Sequence, residues 1–99
     1  MFLHIGENVY ILKDEIVAIL NKDTFDNSKE SSIFIEKLIE NGYLKNKKLN
    51  GVKTYIITSK NRRTRKSKRI KKEYNIYLSN ISSTTLLKRS RNTETEMEV

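Results

Sequence analysis

Between Lys60 and Lys72, nine of thirteen residues are basic: Lys60, Arg62, Arg63, Arg65, Lys66, Lys68, Arg69, Lys71 and Lys72. Such a run cannot enter a core, because every buried cation needs a counter-charge and hydrogen bonds of its own. It has to stand outside the packed part of the molecule. The segments on either side of it are β-prone. Before it, Val52, Thr54 and Ile56 alternate with Tyr55 and Ile57 in the stretch Val52 to Thr58; after it, Tyr74, Ile76 and Leu78 alternate with Asn75, Tyr77 and Ser79, the pattern of a half-buried strand. Two strands joined by a charged connection over residues 59–73 are expected to form a long hairpin arm. A connection of that length inside a compact domain is functional or disordered.

The remainder of the 99 residues has room for one core, expected over residues 1–90. Phe2 to Ile5 and Val9 to Leu12 flank the turn-forming Gly6-Glu7-Asn8 and predict a hairpin. The apolar run Ile16 to Leu20 predicts a third strand, buried on both faces. Ser31, Phe34, Ile35, Leu38 and Ile39 recur at helical spacing, with Asn27 or Ser28 as N-cap and Asn41-Gly42 as the stop, so a long helix is expected from about Ser28 to Asn41. Ser82 to Thr85 can cap a short helix through Leu86 and Leu87, and residues 91–99 have nothing to bury and are expected to be a disordered tail. The class expected is α+β: a small antiparallel sheet of about five strands with one long helix and a short C-terminal helix.

Several chemistries are excluded at this level. There is no cysteine, hence no disulfide and no thiolate site, which fits a reducing compartment. The opening MFLHIGENVY lacks the basic and long apolar regions of a signal peptide, and Ile16 to Leu20 is far short of the ~20 residues that cross a bilayer. A cytoplasmic protein without membrane contact is the expectation. His4, the single histidine, has no second histidine or cysteine to share a metal, and its expected role is structural. Gly6, Gly42 and Gly51 are isolated, so no phosphate loop is present, and no nucleophile, base and orienter occur together. No enzyme, no cofactor and no metal are expected.

Charge points instead to a polyanion. Residues 1–50 carry 7 lysines against 8 carboxylates, a net −1, whereas residues 51–99 carry 13 Lys or Arg against 4 carboxylates, a net +9. A one-sided positive field draws phosphate over ~10 Å, and each phosphate neutralised releases counterions. Arg adds bidentate contacts and Lys mobile point charges. The duplex-DNA reading competes with a plainer one, in which the charges keep a strand edge from aggregating, and with an adaptor that uses the arm on an acidic protein. A membrane-surface role is disfavoured, since Ile70 is the arm's sole apolar residue.

The stretches FLHIGENVYILKDEIVAIL, ENGYL, KTYIITSK and NIYLSNISSTTLLKRS together resemble the bacterial extracellular-matrix regulatory protein family, RemA and RemB, and are closer to the RemB type; the similarity covers roughly residues 1–90. The resemblance implies a small α+β domain that assembles into homo-oligomeric rings and binds DNA to regulate transcription of biofilm matrix genes. Of the arginine cluster that RemA members carry before the strand here at Val52 to Ile57, only Lys53 matches in chemistry, and the RemA arginine before the IVAIL-like strand falls on Glu15. The run Arg62-Arg63-Thr64-Arg65 looks like the RemA motif but follows that strand, so the basic surface is expected to have moved onto the arm. The expected nucleic-acid contacts are therefore Lys53 and the nine arm cations.

Overall fold

The computed structural model describes residues 1–46, 50–63 and 70–98. In chain order its elements are β1 (Phe2–His4), β2 (Tyr10–Leu12), a 3-10 turn (Lys13–Glu15), β3 (Ile16–Asn21), α1 (Lys22–Asp26), α2 (Lys29–Glu40), β4 (Thr54–Arg63), β5 (Ile70–Ser79) and α3 (Ser83–Glu98). The class is α+β, with one correction. The five described strands form two antiparallel sheets, β1–β2 and β3–β4–β5, rather than one. The cause lies in the central sheet, which is apolar on both faces and needs two covers. The charged turn Lys13–Glu15 breaks the path from β2 to β3, and the hairpin becomes one of those covers.

That hairpin turns through Gly6 (φ +97°), Glu7 (φ +50°) and Asn8 (φ +60°), with Val9 N–H donating to the Gly6 carbonyl at 2.9 Å. Positive φ at both central residues matches the right-handed twist of the strands it joins. Leu3, Ile5 and Ile11 point inward and join Ile56 of β4 and Leu86 of α3 in one core cluster. On the opposite face of the sheet Tyr55, Ile57, Ile76 and Leu78 pack with Ile35 of α2, flanked by Phe25, Leu38, Ile39, Leu44 and Val52. The second strand of the arm hairpin is thus covered on both faces, where alternation alone suggested a half-buried strand. Polar side chains on the β1–β2 side are buried because they bond to the cover: Ser79 Oγ donates to the Ile5 carbonyl and Thr54 Oγ1 to the Ile81 carbonyl, each at 2.7 Å.

Helix α2 falls where its periodicity places it. Ser28 Oγ accepts from Ser31 N–H, Glu30 sits in the first turn, and the end is a Schellman motif: Gly42 N–H (φ +83°) donates to Ile39 and Tyr43 N–H to Leu38. Its buried stripe is narrower than expected, since Ile35 is buried and Leu38 and Ile39 are half-buried, whereas Phe34 is exposed. β3 is likewise not buried on both faces. It is an edge strand whose Val17 is exposed, with a bulge between Ile16 and Ala18. The polar stretch after it forms the short α1, capped by Asn21 Oδ1 accepting from Thr24 N–H and closed by the Lys22–Asp26 ion pair one turn apart. Asp26 also accepts from Tyr55 Oη at 2.9 Å, so α1 is tied to the sheet. Burial and that bond push the tyrosine hydroxyl well above its usual range. Burial alone would raise the Asp26 carboxyl, but the bonds from Lys22 and Tyr55 outweigh it and hold the group below the ordinary range.

Helix α3 begins at the Ser82 cap, whose Oγ accepts from Thr85 N–H, and buries Leu86. It is longer than the short helix expected: residues 91–98, read as a disordered tail, continue it. No Gly or Pro lies between Ser83 and Glu98 to stop the helix. Lys13 Nζ donates to the carbonyls of Arg89 and Ser90, anchoring the helix to the 3-10 turn.

Candidate nucleic-acid interface

The central sheet narrows along β4 and β5. β3 pairs with β4 from Asn21↔Thr54 to Ile16↔Thr58 and no further. On the other side, Tyr43 to Asn46 runs along β5: Leu44 bridges Ile76, Lys45 N–H donates to the Ile76 carbonyl, and the Asn46 amide both donates to and accepts from the Leu78 backbone at 2.7 and 3.0 Å. Past Thr58 and Asn75, β4 and β5 pair only with each other among the described residues. Five register pairs form this two-stranded ribbon: Ser59↔Tyr74, Lys60↔Glu73, Asn61↔Lys72, Arg62↔Lys71 and Arg63↔Ile70. At ~3.4 Å per residue the ribbon projects roughly 17 Å beyond the third strand.

The expected contact residues divide three ways. Lys60, Lys71 and Lys72 are exposed on the ribbon, and Arg62 and Arg63 occupy its backbone register. Arg65, Lys66, Lys68 and Arg69 lie outside the described residues. Lys53 is exposed but stands at the opposite end of β4, where its backbone closes onto Ser79 and Lys22, so it does not converge with the arm. Glu15, which occupies the position of a RemA arginine in the resemblance above, lies at the root of the ribbon 3.7 Å from Lys60 Nζ. Glu73 sits 4.0 Å from Lys45 Nζ. The root is therefore partly neutralised by two carboxylates.

Sequence reasoning missed the polar floor at that root. Asn75 alternates with Ile76 and reads as a solvent position, yet it is only 3% exposed and its Oδ1 has no hydrogen-bond partner among the described residues. Together with Lys45, Lys60, Asn61, Glu73 and Tyr77 it lines a cavity of about 350 Å³. Nothing in a strand pattern signals this, because alternation says which residues share a face and nothing of what lies over it. His4, in turn, stacks on Tyr10 with ring centroids 4.7 Å apart, and among the described residues no cluster of His, Cys, Asp or Glu could hold a metal. No family model and no curated protein matches this chain. Among the described residues no helix is long and apolar enough to cross a membrane.

Proposed function

We propose that this protein is a DNA-binding regulator, of transcription or of chromosome organisation, that lays its β4–β5 arm against duplex DNA. The observation that supports this most is the ribbon itself. Five cations of the densest basic run in the chain, Lys60, Arg62, Arg63, Lys71 and Lys72, belong to a two-stranded β-ribbon that extends past the third strand. A ribbon of that kind fits the ~12 Å width of a major groove, and its Lys and Arg positions bring the phosphate contacts that dominate affinity. On this reading the protein is a binding protein of the matrix-regulator type and not an enzyme.

Homo-oligomerisation belongs to the same proposal. The outer face of the β1–β2 hairpin exposes Phe2, Tyr10 and Leu12, with Phe2 at 62% and Tyr10 at 60%. Clustered apolar exposure of this sort marks a surface that another chain covers. Joining several arms in one particle multiplies weak phosphate contacts through effective concentration. The alternative, an adaptor that uses the arm on an acidic protein, shares the charge and differs in its test. Fluorescence anisotropy of a labelled duplex across a salt series, for wild type and for a variant with Arg62, Arg63, Arg65 and Arg69 changed to Ser, decides between them. Steep salt dependence that the variant loses supports DNA binding; absence of binding at low salt in both proteins removes it and leaves the adaptor.

A further inference from the structure

We infer that one face of the arm, the face of Ser59, Asn61, Lys72 and Tyr74, reads base edges in the duplex, and that Asn61 gives it a preference for adenine. This deepens the duplex-DNA reading above and rests on it. A two-stranded ribbon with no third strand has two open faces. Successive side chains along each strand alternate between them, and cross-strand partners share one. The pairs Ser59↔Tyr74 and Asn61↔Lys72 continue the face on which Tyr55, Ile57, Ile76 and Leu78 pack against α2. The pair Lys60↔Glu73, and Lys71 beyond it, continue the face of Ile56 and Tyr77, over which the β1–β2 hairpin lies. The contacts agree with this sorting: Lys60 lines a pocket with Phe2, Tyr10 and Leu12 of that hairpin and stands 3.7 Å from Glu15.

The two faces differ in what they can offer a duplex. The hairpin-side face carries Glu73, with Glu15 at its root, and carboxylates are repelled by the phosphates that line both rims of a groove. Among the described ribbon residues the α2-side face has no carboxylate. It presents a hydroxyl, a carboxamide, an ammonium and a phenol, with Asn61 and Lys72 exposed and Tyr74 45% exposed. Lysine, serine and tyrosine of this kind position a protein on phosphates, and the carboxamide carries the sequence information. In the major groove an Asn side chain pairs bidentately with adenine, Oδ1 accepting from the N6 amine and Nδ2 donating to N7. Asn61 also borders the cavity at the root of the arm, but it stands three residues past Thr58, where pairing with β3 ends. That is roughly 10 Å along the ribbon, so a duplex can lie on this face without meeting the third strand.

The test is selection of duplexes from a random library by wild type, Asn61→Ala, Lys72→Ala and Lys71→Ala, followed by titration of the recovered sites. All three positions are exposed, so the variants keep the fold. Wild type should recover sites with a fixed adenine, and replacing that A·T pair by G·C should weaken its binding about ten-fold. Asn61→Ala should bind the two duplexes within about two-fold of each other. Lys72→Ala should weaken binding to every sequence and lower the salt slope, and Lys71→Ala should do so less. Recovery of unrelated sequences by a wild type that binds duplex overturns base reading while leaving DNA binding in place. An adenine preference that survives in Asn61→Ala overturns the role of Asn61, and a loss in Lys71→Ala as large as that in Lys72→Ala overturns the choice of face. Absence of duplex binding by wild type at low salt removes the DNA reading itself, and this inference with it.

Discussion

The two ends of the β4–β5 hairpin share one backbone ladder and carry opposite side chains. At the base, the pairs Tyr55↔Leu78, Ile56↔Tyr77 and Ile57↔Ile76 lie between β3 and the segment Tyr43 to Asn46, with Ile56 and Ile76 fully buried. In the arm, Asn61↔Lys72 and Arg62↔Lys71 have no third strand beside them among the described residues. A free two-stranded hairpin is marginal in water, and like charges directly opposite each other weaken it further. The arm's backbone order is thus borrowed from the base. What the difference teaches is a division of labour: the base sets stability for both, the arm sets charge, and substitutions in the arm should leave the base as it is.

The largest break in that comparison comes from the base. Ile56→Ala removes a side chain with no exposed area from the cluster that joins the β1–β2 hairpin to the sheet. It should cost about 2–5 kcal/mol in urea unfolding, enough to loosen the arm with it. A loss below about 1 kcal/mol would mean that the two layers are not packed as described. Next in size is Ser79→Ala. Its Oγ donates to the Ile5 carbonyl at 2.7 Å and accepts from Ile81 N–H at 3.1 Å; removing it strands a buried carbonyl at about 1–3 kcal/mol. Ser79→Thr, which keeps the hydroxyl, separates the lost bonds from any effect of volume.

The same division explains what could be read from the chain. The position of helix α2 was legible to within about a residue at each end because its signals are local: Ser28, the Ile35, Leu38 and Ile39 spacing, and Asn41-Gly42. Of the expected arm, the pairing from Ser59↔Tyr74 to Arg63↔Ile70 is described, and residues 64–69 lie outside the described residues. What escaped depends on which element lies on top of another. The split into two sheets and the burial of Ser79 follow from the hairpin lying over one face, and the exposure of Val17 from β3 being an edge strand. A period-2 pattern says which residues share a face and nothing of what covers that face. The length of α3 escaped for another reason, since it carries few apolar residues beyond Leu87, and burial was the criterion used.

A smaller effect ties α1 to the base. Asp26 is held below the usual carboxyl range by Lys22 and by the Tyr55 hydroxyl, against the opposing pull of burial. A depressed folded-state pKa adds stability that is complete above the unfolded carboxyl value of about 3.9 and is lost as pH falls through the folded value. Wild type should therefore lose more stability than Asp26→Asn as pH falls below about 4. With the side chains of the pair 34% exposed, screening keeps the difference below about 1 kcal/mol. Parallel acid-unfolding curves for the two proteins would show that Asp26 does not hold α1 to Tyr55.

The smallest expected effect is the sharpest test of separability. Lys71 is exposed and stands opposite Arg62 in the ribbon, two cations at one cross-strand position. Lys71→Glu replaces like charges by opposite ones, a change worth about 0.2–1 kcal/mol. If the arm opens independently of the base, that energy belongs to the arm alone. Hydrogen exchange at the amides of Lys60 to Arg62 should then slow by about 1.4- to 5-fold, while the urea midpoint stays where it is, because global unfolding starts from molecules whose arms already open. A shifted midpoint together with arm exchange slowed by the same free energy would show instead that base and arm unfold as one unit. In that case charge reversal in the arm would alter the core as well, and any loss of duplex binding in arm variants would have to be corrected for it before being assigned to phosphate contacts.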